Sequence, residues 1–90
     1  MALPVVVFLP SALAGLFPDS ERRVEVEAAT VNDVMEALDR RWPGMRDRLC
    51  DSRPAIRRHI NVFVDGERAT LATVLRPGTE VYVLTAISGG

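Results

Sequence analysis

Lysine is absent from this sequence: all eleven basic residues are arginines, so the N-terminus carries its one primary amine. A coding bias towards arginine is the plain reading. Cysteine occurs once, at Cys50, which excludes an internal disulfide and suits a reducing, cytoplasmic compartment. No stretch approaches the roughly 18 consecutive apolar residues of a membrane span. No basic segment precedes the first apolar run, which argues against a signal peptide. His59 is the only histidine and has no second metal ligand at useful spacing, so no metal site is expected. There is no glycine-rich phosphate loop and no internal repeat.

What is present describes one domain. Ninety residues bury only about 60–65% of their unfolded surface, leaving one thin core and no large internal pocket. The apolar fraction of 48% and charged fraction of 26% are those of an ordinary folded protein. The net charge of −1 hides two blocks. Residues 19–39 carry seven acidic side chains against Arg22 and Arg23, whereas residues 40–58 carry seven arginines against Asp47 and Asp51. Such blocks can steer a charged partner, although solvated faces of opposite sign are the simpler reading.

The hydrophobic pattern predicts an α+β domain over residues 1–85. Leu3–Leu9 is apolar on both faces, as a central strand is. Residues 10–20 read as a loop with room for a helical turn near Leu13–Phe17. Arg22–Glu27 alternates, with Val24 and Val26 inward, as a half-buried edge strand does. Thr30 with Asp33 approximates a capping box, and Val31, Val34, Leu38 and Trp42 share one helical face beside Met35. Pro43 ends that helix. A short helix over 45–50 and a loop at 51–55 follow. A strand within Ile56–Val64 leads to a turn at Asp65-Gly66. Glu67–Leu75 fits a short strand and then a helical turn. Arg76-Pro77-Gly78-Thr79 has the residue order of a type II turn, and Glu80–Thr85 is the last strand. The expected fold is a mixed sheet of four to five strands with its main helix on one face, the first and last strands adjacent at the centre.

The remaining residues, 86–90, read as a flexible tail ending in Gly89-Gly90. A chance Gly-Gly ending has odds of about one in 200. Threading a main-chain carboxylate into an activating pocket needs a backbone free of side chains and of β-carbon restrictions. Two glycines satisfy both requirements, against the bland alternative of a frayed end.

The segment Leu75-Arg-Pro-Gly-Thr79, the ending Glu80-Val-Tyr-Val-Leu-Thr-Ala-Ile-Ser-Gly-Gly90 and the stretch Ile60-Asn-Val-Phe-Val-Asp-Gly66 resemble the MoaD/ThiS ubiquitin-like sulfur carriers. The resemblance covers essentially the whole chain and implies a β-grasp fold. It further implies a non-enzymatic carrier, or the small subunit of a sulfur-transferring synthase. In such a carrier an adenylating enzyme activates the Gly90 carboxylate with Mg-ATP, and a sulfur donor converts it to a thiocarboxylate. A second enzyme or synthase subunit would then accept the sulfur, in molybdopterin-type or in cysteine or thio-metabolite biosynthesis. Gly90 would react, Gly89 would enter the pocket, and Ile87 and Ser88 would line the tail. The carrier itself would bind no cofactor. Members often have proline where this chain has Thr85-Ala86. A protein modifier conjugated through Gly90 would start from the same adenylate.

Strand parity adds a candidate docking face. If Val5, Val7, Leu9, Ile60, Val62, Val64, Val81 and Val83 face the helix, then Val6, Phe8, Phe63, Tyr82 and Leu84 face away. The alternative is that residues 43–58 or the 10–20 loop cover those aromatics. Cys50 beside Leu49 reads as packing before it reads as a sulfur-relay thiol. Glu25 and Glu27 look solvated. A β-grasp binding module whose arginine block at 40–58 contacts RNA or another acidic partner is disfavoured by the interleaved acids, a pI near 5.7 and the single stacking candidate Trp42. A membrane partner is not expected.

Overall fold

The computed structural model describes residues 3–52 and 55–85. Strand β1 (Val5–Phe8) pairs antiparallel with β2 (Arg23–Val26), and a short 3-10 helix (Ser11–Gly15) lies in the loop between them. Helices α1 (Val31–Arg41) and α2 (Met45–Leu49) follow, then β3 (Ile60–Val64), β4 (Glu67–Arg68) and β5 (Glu80–Thr85). The five strands form one sheet in the order β2-β1-β5-β3-β4. β1 and β5 run parallel at its centre, and the other pairings are antiparallel. Residues 86–90 lie outside the described residues, so the division at residue 85 stays an expectation.

Local chemistry sets the helices. Thr30 Oγ1 accepts from the Asp33 amide at 3.2 Å, while Asp33 Oδ2 accepts from the Thr30 amide at 3.2 Å. This reciprocal pair satisfies donors that the first helical turn leaves open, with aspartate replacing the usual glutamate. Trp42 leaves helical geometry ahead of Pro43, and its indole Nε1 donates to the Asp19 carbonyl at 3.1 Å. That bond ties the first loop to the end of α1. Asp39 Oδ1 accepts from the Gly44 and Arg46 amides at 3.0 and 3.1 Å, so a side chain of α1 caps the start of α2.

The core lies between the helices and one face of the sheet. Val31, Val34, Met35 and Leu38 of α1 and Met45 and Leu49 of α2 are fully buried against Val7, Val81 and Val83. Both turns have the expected geometry. Asp65 and Gly66 take φ of 54° and 81°, the mirror-image turn that matches strand twist. Gly78 takes φ of 81°, and the Thr79 amide donates to the Arg76 carbonyl at 3.1 Å.

The strand expected within 56–64 is Ile60–Val64, with Ile60, Val62 and Val64 inward as expected. Upstream, Ile56 bridges to Cys50, and the Arg57 amide donates to the Leu49 carbonyl at 2.9 Å. That segment's backbone is committed to α2 and not to the sheet. Residues 67–75 resolve into β4 and a turn in which the Thr73 amide donates to the Thr70 carbonyl.

Leu38, with no exposed surface, reports on the packing of α1. Leu38→Ala is expected to lower unfolding free energy by about 2–5 kcal/mol, read by urea denaturation. Stability equal to wild type would show that α1 packs on a different face.

Candidate functional site

The sheet's second face is open and ordered by strand register. Phe8 of β1 is opposite Tyr82 of β5, and Tyr82 is opposite Phe63 of β3. The Phe8 and Tyr82 rings stack at 4.8 Å between centroids and 10° between planes. The same row continues to Arg23 of β2 beside Phe8 and Arg68 of β4 beside Phe63. An aromatic row thus crosses the three central strands with an arginine on each edge strand. Towards the start of β5 lie Val6, Glu80 and Glu25, and towards its end lie Leu84 and Asn61.

Among the described residues, neither 43–52 and 55–58 nor the 10–20 loop covers this face, against the alternative left open by parity. Leu13, Met45 and Leu49 enter the core on the other side of the sheet. Tyr82 is 40% exposed and Leu84 46%, while Val6, Phe8 and Phe63 are half-buried. The Tyr82 hydroxyl donates to Glu80 Oε1 at 3.0 Å. That bond is the main reason its pKa is raised above the ordinary phenol value, since deprotonation forfeits the donor beside a carboxylate. Parity found the aromatics but missed Arg23, Arg68 and Asn61. The same parity run along β2 and β4 would have found the two arginines.

The tail residues Ile87, Ser88, Gly89 and Gly90 lie outside the described residues. Their point of departure is fixed: Thr85, the last residue of β5, is paired with Ile60 at the start of β3. The chain therefore continues to Gly90 from the Leu84 end of the aromatic face.

Cys50 is 3% exposed and joins the core cluster. Burial pushes its thiol pKa up, with Asp51 adding and Arg46 and Arg57 opposing. Reactive relay thiols are instead exposed and acidified, so Cys50 has the character of a packing residue. His59 is exposed at the end of the loop before β3. No group of three or more metal-ligating side chains occurs among the described residues. Glu25 is exposed and paired with Arg23 at 3.2 Å. No described helix is long and apolar enough to cross a membrane.

A mixed five-stranded sheet gripping one main helix, with first and last strands parallel at its centre, is the β-grasp architecture of ubiquitin-like proteins. The chain belongs to the ThiS family, whose model matches residues 9–90, and so to the ubiquitin-like sulfur carrier and modifier proteins of MoaD/ThiS type. It is 35% identical over 69 residues to small archaeal modifier protein 1 of Haloferax volcanii, covering 76% of this chain and 79% of that protein. The solved structure of that protein, SAMP1, superposes with a TM-score of 0.78 at 30% identity, covering 96% of this chain and 98% of the other. CysO in the Amycolatopsis orientalis BexX/CysO complex gives a TM-score of 0.84 at 29% identity, with 96% and 99% covered. Mycobacterium tuberculosis CysO gives 0.81 at 26%, with 92% and 99% covered. Members of this family are small carrier proteins and not enzymes.

Burial of Cys50 has a pH consequence. Its raised folded-state pKa adds stability that is complete below the ordinary thiol value of about 8.5 and fades as pH rises through the folded value. Unfolding free energy is expected to decline over that alkaline range in the wild type and to decline less in Cys50→Ala. Equal slopes would show that the thiol is not protected in the folded state.

Proposed function

We propose that this chain is a sulfur carrier that reacts through the carboxylate of Gly90. That carboxylate attacks the α-phosphorus of ATP held with Mg by an adenylating partner, and pyrophosphate leaves. Hydrosulfide then adds to the acyl carbon, AMP departs with the bonding pair, and loss of the S–H proton leaves a thiocarboxylate. A second enzyme or synthase subunit accepts the sulfur, in molybdopterin-type or cysteine and thio-metabolite biosynthesis. The chain contributes no ATP site, and the cytoplasm, where ATP and reduced sulfur coexist, is its compartment.

What supports this reading is that the sequence ends in Gly89-Gly90 five residues after β5, a central strand, ends at Thr85 beside an open aromatic face. A partner can grip that face while Ile87 and Ser88 guide the glycines into its pocket. Absence of lysine fits the chemistry, because an acyl adenylate on Gly90 meets few amines of its own chain.

A second reading is favoured by the likeness to small archaeal modifier protein 1: conjugation of Gly90 to amines of other proteins. Both readings pass through the same adenylate and part at the nucleophile. Incubation with the activating enzyme, ATP and sulfide separates them by intact mass. Exchange of one oxygen for sulfur marks the carrier, and protein adducts mark the modifier.

Deleting Gly90, or Gly89→Val, is expected to abolish ATP-dependent pyrophosphate release without lowering thermal stability. Normal release by the truncated chain would remove Gly90 from the chemistry. Phe63 occupies the interior of the aromatic row, where single truncations commonly cost an interface about 2 kcal/mol. Phe63→Ala should weaken binding to the activating enzyme by roughly 30-fold while the fold survives. Lost stability with unchanged affinity per folded molecule would show that the row is structural only.

A further inference from the structure

The arginine block of residues 40–58 divides in space. Arg40 and Arg41 line a groove with Glu25 and Glu27, two carboxylates against two guanidiniums. Arg48, Arg57 and His59 line a separate cleft of about 510 Å³ together with Gly44 and one carboxylate, Asp47. Among the described residues neither Arg48 nor Arg57 forms an ion pair, the pair found being Arg23 with Glu25.

The cleft is held in shape by backbone. Arg57 Nε donates to the Asp47 carbonyl at 2.8 Å, which fixes the guanidinium. The Arg57 amide is bonded to the Leu49 carbonyl, and Cys50 bridges to Ile56, so the two walls are tied together. Its position is informative. His59 immediately precedes Ile60, and Ile60 is the partner of Thr85, so the cleft borders the strand end from which the chain runs on to Gly90.

We propose that this cleft docks a carboxylate-rich patch on the protein that takes up the tail. This rests on the Gly90 reading for the partner's identity, but not for the cleft's preference for acidic peptide. A planar guanidinium fork held at its Nε suits paired carboxylates, and a cleft with two arginines against one carboxylate accelerates encounter with an acidic surface. Single-stranded nucleic acid fits less well, because it requires aromatic stacking platforms. Trp42 is only 8% exposed, and Phe8, Phe63 and Tyr82 lie on the sheet face away from α2.

The test uses the full chain with Arg48→Glu, and with Arg48→Glu and Arg57→Glu together. The single variant guards against a fold effect from losing the Arg57–Asp47 bond. In the adenylation assay the KM for the carrier should rise about tenfold or more in the double variant at low salt, with kcat unchanged. The difference should shrink above about 0.15 M salt, where screening acts within roughly 8 Å. An unchanged KM, with wild type adenylated normally, overturns the proposal and leaves the Gly90 reading intact. If wild type is not adenylated at all, the Gly90 reading fails, and amide NMR titration with hexaglutamate decides the cleft alone. Shifts centred on Gly44, Arg48, Arg57 and His59 that vanish in the double variant support it. No shifts there, or stronger ones from a uridylate hexamer, overturn it.

Discussion

The pairing of β1 with β5 joins the two ends of the domain, and the remaining geometry follows from it. Val6, Val7 and Phe8 lie beside Glu80, Val81 and Tyr82 in parallel register. A parallel pair cannot be closed by a hairpin, so the intervening chain must cross over, here through α1 and α2. Closing so long a loop is entropically unfavourable, and burial of Val7, Val81 and Val83 against the helices offsets that cost. Once the pair forms, β2 and β3 can add only on its outer edges.

The same register builds the surface a partner would meet. Because side chains alternate along each strand, the valines that enter the core put Phe8, Tyr82 and Phe63 in one row on the opposite face. Arg23 and Arg68 close the row at the sheet edges. β5 ends at Thr85 beside Ile60, at the Leu84 end of that face. On the proposed function, recognition falls to the sheet and chemistry to the glycine ending.

Features with local causes were legible in the sequence. The Thr30–Asp33 cap, the helix stop at Pro43, the Asp65-Gly66 turn and the inward valines each depend on neighbours a few residues apart. Features decided by distant partners were not. Arg57 gives its amide to the Leu49 carbonyl, a tie to α2 that no local motif announces. Asp39 caps α2 across a turn that no capping motif announces. Parity identified the aromatic face, but whether α2 covered it depended on the path of residues 43–52. The charge blocks were visible as composition, yet only the fold separates Arg40 and Arg41, which sit beside glutamates, from Arg48 and Arg57, which do not. Gly89-Gly90 was legible as a motif alone.

The central claim is that Gly90 carries the sulfur. Its most direct test is fragmentation mass spectrometry of the intact chain after incubation with activating enzyme, ATP and isotopically labelled sulfide. The account predicts one labelled sulfur in place of one oxygen, confined to fragments that contain Gly90. C-terminal fragments that keep both oxygens and carry no label, although ATP is cleaved to AMP and pyrophosphate, would contradict it.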